Sequence, residues 1–139
     1  MTDSPFSGGK GYFPFPGPNP GLVSNGPIGY ASGQGGVVTQ ATSKTTGVSL
    51  NKLTGQITMN GALLAGALGA ATFTVTNSLV ASTDAVALAI SGGATIGAYI
   101  LAPAFVRNGS FDVTLLNASV GVLSEAVVLN FVVLKGAAT

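Results

Sequence analysis

Three features of the sequence predict an all-β fold, an antiparallel sandwich of jelly-roll type with an extended N-terminal arm. Short apolar runs follow one another with glycine-rich turns between them. Several of these runs alternate polar and apolar residues with the period of two that a strand requires. Six of the seven prolines, at positions 5, 14, 16, 18, 20 and 27, precede a body that holds only Pro103. That shift in composition divides the chain into an arm, residues 1–36, and a sandwich domain, residues 37–139.

In the arm, prolines remove backbone donors and fix φ, which excludes a helix or a central strand and favours an extended, partly polyproline II course. A bland linker would be rich in Ser, Glu or Lys. This arm instead carries Phe6, Tyr12, Phe13, Phe15 and Tyr30, half of the aromatic residues of the chain. Such residues have no core of their own here. They are therefore the candidate partner-binding residues, with a sticky unstructured tail as the plainer alternative.

Within the body, Val37 to Ala41 and Gly47 to Leu50 are short strand candidates. Gln56 to Met59 follows the turn Asn51-Lys-Leu-Thr-Gly55, and Asn60-Gly61 ends it. The small residues of Ala62 to Ala71 fit either a helical turn or a loose connection. Thr72 to Asn77 alternates cleanly, with Phe73 and Val75 inward. In Asp84 to Ser91, Val86, Leu88 and Ile90 share one face and Ala85, Ala87 and Ala89 the other; alanine on an outer face lets another surface approach closely. Thr95 to Ala102 follows Ser91-Gly92-Gly93. Asn108-Gly109 is the strongest hairpin signal, joining Phe105–Arg107 to Ser110–Asn117. The last strand lies within Glu125 to Lys135. Its inner set is Val127, Leu129, Phe131 and Val133; its outer set includes Val128, Val132 and Leu134. Its branched and aromatic content favours a strand over the competing helix. A strand apolar on both faces is expected to be covered on both. This makes Val128, Val132, Leu134, Ala85, Ala87 and Ala89 the expected homo-oligomer interface.

Composition narrows the function. Charged residues make up 6% of the chain and mean hydropathy is +0.58, against roughly 25% charged in an ordinary soluble domain. A surface so poor in charge fits a chain that works inside an assembly. The net charge of +1 offers no basic footprint for nucleic acid. Residues 85–106 are uncharged and long enough to span a bilayer. However, Ser91-Gly92-Gly93 interrupts them and Pro103 lies near their end, so no membrane partner is expected. The N-terminus lacks the basic and apolar regions of a signal peptide. With neither Cys nor His, a zinc site, a redox dithiol and a Ser-His-Asp triad are excluded. The acids Asp3, Asp84, Asp112 and Glu125 are scattered, and Asp84 and Asp112 read as solvated outer-face groups. Gly8-Gly9-Lys10-Gly11 lacks the spacing and context of a phosphate loop. No cofactor, metal or small-molecule substrate is expected. Asn108-Gly-Ser110 and Asn117-Ala-Ser119 fit the glycosylation pattern, though turn chemistry accounts for the first.

The stretch from Val38 to Asn60, with Leu50-Asn-Lys at its centre, resembles a module of tailed-bacteriophage structural proteins. Phe73-Thr-Val-Thr-Asn77-Ser78, Gly109-Ser-Phe111 and Ser124-Glu-Ala-Val-Val-Leu-Asn-Phe-Val-Val-Leu-Lys-Gly136 resemble its later landmarks in the same order. The resemblance implies a virion protein without enzymatic activity, displayed on head or tail, and a trimeric arrangement. On that footing the expected function is capsid decoration (cement): the arm binds the major capsid protein or another virion protein and stabilises the shell. A tail or head fibre tip that touches the host is the alternative, with Tyr99 and Phe105 as its candidate contacts. A carbohydrate-acting enzyme on such a particle, or a non-viral secreted structural protein, stands further off.

Overall fold

The computed structural model describes Gly21 and residues 23–139. Phe6, Tyr12, Phe13 and Phe15 lie outside the described residues. Among those described there are nine strands: β1 (Gly36–Thr39), β2 (Val48–Ser49), β3 (Thr54–Thr58), β4 (Gly69–Thr76), β5 (Ala85–Gly92), β6 (Tyr99–Leu101), β7 (Phe105–Arg107), β8 (Ser110–Asn117) and β9 (Val128–Leu134). They form two sheets packed as a sandwich. One has the order β1-β3-β9-β5; the other has the order β2-β4-β8-β6, with β7 also paired to β8.

The sandwich stands as the sequence predicts, but both sheets are mixed. β1 pairs with β3 in parallel, and β2 with β4 in parallel; the other pairings are antiparallel. The reason is the course of the chain. From β1 to β6 it crosses to the opposite sheet after every strand. β1 and β3, and likewise β2 and β4, thereby become neighbours that point the same way, whereas β9 enters between β3 and β5 and β8 between β4 and β6. Among the described residues only Asn108-Gly109 makes a hairpin within one sheet, between β7 and β8, with Gly109 at φ 79°. Ala102-Pro103-Ala104 separates β6 from β7, and both pair with β8. Proline has no N–H for the ladder, so it falls at this break.

Alternation along the strands builds the core. Ile57, Leu129, Phe131 and Val133 from the first sheet meet Phe73, Val75, Phe111, Val113 and Leu115 from the second, all buried. The rings of Phe111 and Phe131 lie 5.4 Å apart at 54°, a tilted contact of the kind aromatic pairs prefer. β9 is central: its backbone pairs with β3 on one side and β5 on the other.

Several element limits differ from expectation. Ala62 to Ala71 is no helical turn; Leu64 bridges to Leu123, and β4 already begins at Gly69. Thr95 to Ala98 is a turn closed by the Ala98 amide on the Thr95 carbonyl, so β6 is shorter than the apolar run. β9 starts at Val128, three residues after Glu125. The uncharged stretch 85–106 folds as β5, β6 and the start of β7. No helix among the described residues is long and apolar enough to cross a membrane.

Buried polar side chains pin the crossings at the two ends of the sandwich. Asn77 donates to the Lys52 carbonyl and accepts from the Leu79 amide. At the other end Asn117 donates to the carbonyls of Leu64 and Gly121 and accepts from Ser119. Asn117 is fully buried, so its sequon is turn chemistry. Gln40 donates to the carbonyls of Lys44 and Thr46 and accepts from the Asn60 amide. Each amide satisfies backbone groups that a crossing loop leaves without a ladder partner.

The register of β9 yields a direct test. Phe131→Ala should lower stability by about 3–5 kcal/mol, since it empties core volume. Val132→Ala, one residue on and facing outward, should cost less than about 1 kcal/mol. Urea midpoints measure both; equal losses would mean that β9 lies in another register.

Candidate interaction surface

The outer face of the first sheet brings most of the expected interface residues together. Ala85 stands opposite Leu134, Ala87 opposite Val132, and Ala89 opposite Asn130. Across β9, Gln56 faces Asn130 and donates to its Oδ1 at 3.0 Å. Leu134 is 66% exposed, Val132 40%, and Val37 of β1 77%. No charged side chain lies on the outward positions of β5, β9, β3 and β1. Strand β9 is thus apolar on both faces, as expected, but within one chain only the inner face is covered.

The arm reaches this face through Tyr30. Its hydroxyl donates to the Val133 carbonyl at 2.6 Å. The Val133 amide donates to the Leu53 carbonyl just before β3 begins, and the Tyr30 hydroxyl takes up the carbonyl of the same Val133. Ile28, Gly29 and Tyr30 thereby form one wall of a groove whose floor is Ala87, Val132, Val133 and Leu134, with a volume of about 340 Å³. Tyr30, Ala87, Val132 and Leu134, singled out separately in the sequence, meet here. Ala85 adjoins Leu134. Ala89 lies one rung beyond the groove, and Val128 lies at the far end of β9, opposite Thr58.

Elsewhere two carboxylates, Asp84 and Asp112, are held in ion pairs. Asp84 is buried, which corrects its expected solvated position. It accepts from the Lys135 ammonium at 2.5 Å, the Ala81 amide at 2.8 Å and the Gly136 amide at 3.0 Å, and so ties the C-terminal segment to the turn before β5. These donors, Lys135 foremost, lower its pKa to about 2. Gly136 is required by this closure, because a Cβ there would collide with the Thr83 carbonyl. Arg107 holds Asp112 through two hydrogen bonds of 2.8 and 2.7 Å, and Thr74 donates to the same carboxylate. Arg107 and Thr74 lower the Asp112 pKa. The Arg107 guanidinium also lies 5.5 Å from the centre of the Phe105 ring.

At the end of the sandwich remote from Tyr30, Lys44 is buried and donates to the carbonyls of Asn60 at 2.6 Å and Glu125 at 2.5 Å. Burial lowers its pKa, partly offset by the Glu125 charge. Thr95 donates to the Glu125 carboxylate. Beside it Ile90, Ser91, Thr95, Ile96 and Tyr99 line a cleft of about 450 Å³. Burial first, and then Glu125, raise the Tyr99 pKa. No three His, Cys, Asp or Glu among the described residues gather as a metal-binding group.

Sequence reasoning missed the groove wall at Ile28 and Gly29, although Ile28 follows directly on the last proline of the arm. It also missed the apolar far end, where Ile96 and Val120 are each 100% exposed. Exposed apolar side chains thus stand on the outer sheet face and at the loop end that carries Ile96 and Val120. Compared with protein families, with curated proteins and with solved structures, the chain gives no match.

The Asp84 contacts predict how stability depends on acid. Its folded pKa, about 2, lies below the ordinary 3.8. The stabilisation is therefore complete above about pH 4 and is lost as pH falls through about 2. Urea midpoints taken at about pH 5 and about pH 2 should fall more for the natural chain than for Asp84→Asn, which should already be weaker at the higher pH. An equal fall in both would assign acid sensitivity to other carboxylates.

Proposed function

We propose that this chain is a non-enzymatic structural protein of a tailed-phage virion, a decoration or cement protein of the capsid fastened by its N-terminal arm. The observation that carries this reading is the convergence of the arm and the uncharged outer sheet face at Tyr30. An apolar face of this kind is an association surface, and an arm rising beside it can link one molecule to the next. The resemblance from Val38 to Gly136 supplies the virion context. The carboxylates support a binding role over turnover, since Asp84, Asp112 and Glu125 are each engaged in structural contacts in separate parts of the fold.

The mechanism is binding. Copies bridge neighbouring shell subunits and oppose the outward pressure of packaged DNA. Fixing a chain segment of this length in one conformation costs conformational entropy. Prolines reduce that cost, and buried aromatic rings together with backbone hydrogen bonds to the partner offset the remainder. The fibre-tip reading draws on one specific observation, the exposed aliphatic loops and the Tyr99 cleft at the end away from Tyr30.

Particles lacking this protein provide the test. The full chain should restore decoration, and a reconstruction should place its density on the shell. Phe13→Ala with Phe15→Ala should weaken particle binding by at least about tenfold, whereas Lys10→Ala should change it little. Undiminished occupancy by the doubly substituted chain would remove the arm from the mechanism, and density at a tail tip would favour the alternative.

A further inference from the structure

We infer that the groove between Ile28–Tyr30 and the outer face of β5 and β9 receives the Tyr12-Phe13-Pro14-Phe15 segment of a second copy of this chain. The inference rests on the association reading above and names the partner of that surface.

The groove selects its occupant by what it lacks. Its lining carries no charged side chain, and the one polar side chain, Tyr30, already donates to Val133. An occupant with charges or many backbone N–H groups would lose water without recovering hydrogen bonds. Residues 12–16 of this chain, Tyr-Phe-Pro-Phe-Pro, are uncharged, and two of the five have no N–H. They also concentrate three aromatic rings in a short span. A volume of about 340 Å³ lies at the small end of ordinary ligand pockets, so it suits one or two such rings better than a helix or a long loop.

The exposure of the arm favours exchange between copies. Every described residue from Gly21 to Ile28 is exposed, and the two large apolar ones, Val23 and Ile28, are 78% and 70% exposed. Here the arm leaves its own body uncovered. Residues 16–27 can span roughly 40 Å when extended, enough to reach the same groove on a neighbour. The groove lies beside β5, an edge strand of its sheet, and is open to approach from the side. Reciprocal exchange around a closed ring fills every groove with an identical contact. In this arrangement Phe13 and Phe15 strengthen particle binding by linking copies, whose several weak attachments to the shell then add up to a higher avidity.

A photocrosslinking experiment on the full chain tests this. Phe15 is replaced by p-benzoylphenylalanine, and isotopically heavy and light copies are mixed before irradiation. The expected product joins position 15 of one copy to residues 28–30, 87 or 132–134 of the other, in peptides of mixed label. Ala87→Arg, which fills the groove from an exposed position, should reduce that product at least tenfold with an unchanged circular dichroism spectrum. Crosslinks within single copies only, crosslinks to other surfaces, or no crosslink at all would overturn the inference. Particle binding is not read in this experiment. A chain that crosslinks as expected yet never decorates particles would retain the exchange and refute the decoration reading.

Discussion

The fold depends on a contact between sheets that no local turn can make. Because the chain passes to the opposite sheet after each of its first five strands, neither sheet can be completed before the two have packed. Pairing partners are far apart in sequence: β9 must find both β3 and β5, and β4 must find β8. The Phe111–Phe131 contact joins the central strands of the two sheets. Hydrophobic packing therefore comes with hydrogen-bond pairing and not after it, the regime in which long-range β topology folds slowly.

A chain without cysteine and with few ion pairs must fix its crossings by other means. Buried amides take that role at Gln40, Asn77 and Asn117, and buried charges at Lys44 and Asp84. Lys44 is the least expected of these. Its ammonium is held by two carbonyls instead of a carboxylate, so its removal would orphan acceptors on two loops. The charged pins lie away from the outer face of β5 and β9, which carries no charged side chain.

Much of the architecture is legible in the sequence because its cause is local. The limits of β7 and β8 follow from Asn108-Gly109 and from strict alternation. The inner and outer sets of β9 follow from its period of two, and the alanines of β5 face outward as their spacing requires. What the sequence hides is non-local. Turn residues mark a reversal but not the sheet to which the chain returns, so the parallel pairs cannot be read from them. Asp84 reads as a solvated acid because Lys135 is 51 residues away. Tyr30 reads as one more arm aromatic because its acceptor is 103 residues away. The expected interface residues are each identifiable as surplus apolar surface, whereas the groove that gathers Tyr30, Ala87, Val132 and Leu134 depends on that last contact.

The central claim is that the outer face of β5 and β9 is an association surface and not an exposed remainder of a monomer. Sedimentation equilibrium over a range of micromolar concentrations tests it most directly. The full chain should sediment as an oligomer, with the trimer as the expected species, and Val132→Lys should sediment as a folded monomer with an unchanged circular dichroism spectrum. A natural chain that remains monomeric throughout that range, or a Val132→Lys chain that associates as well as the natural one, would contradict the account.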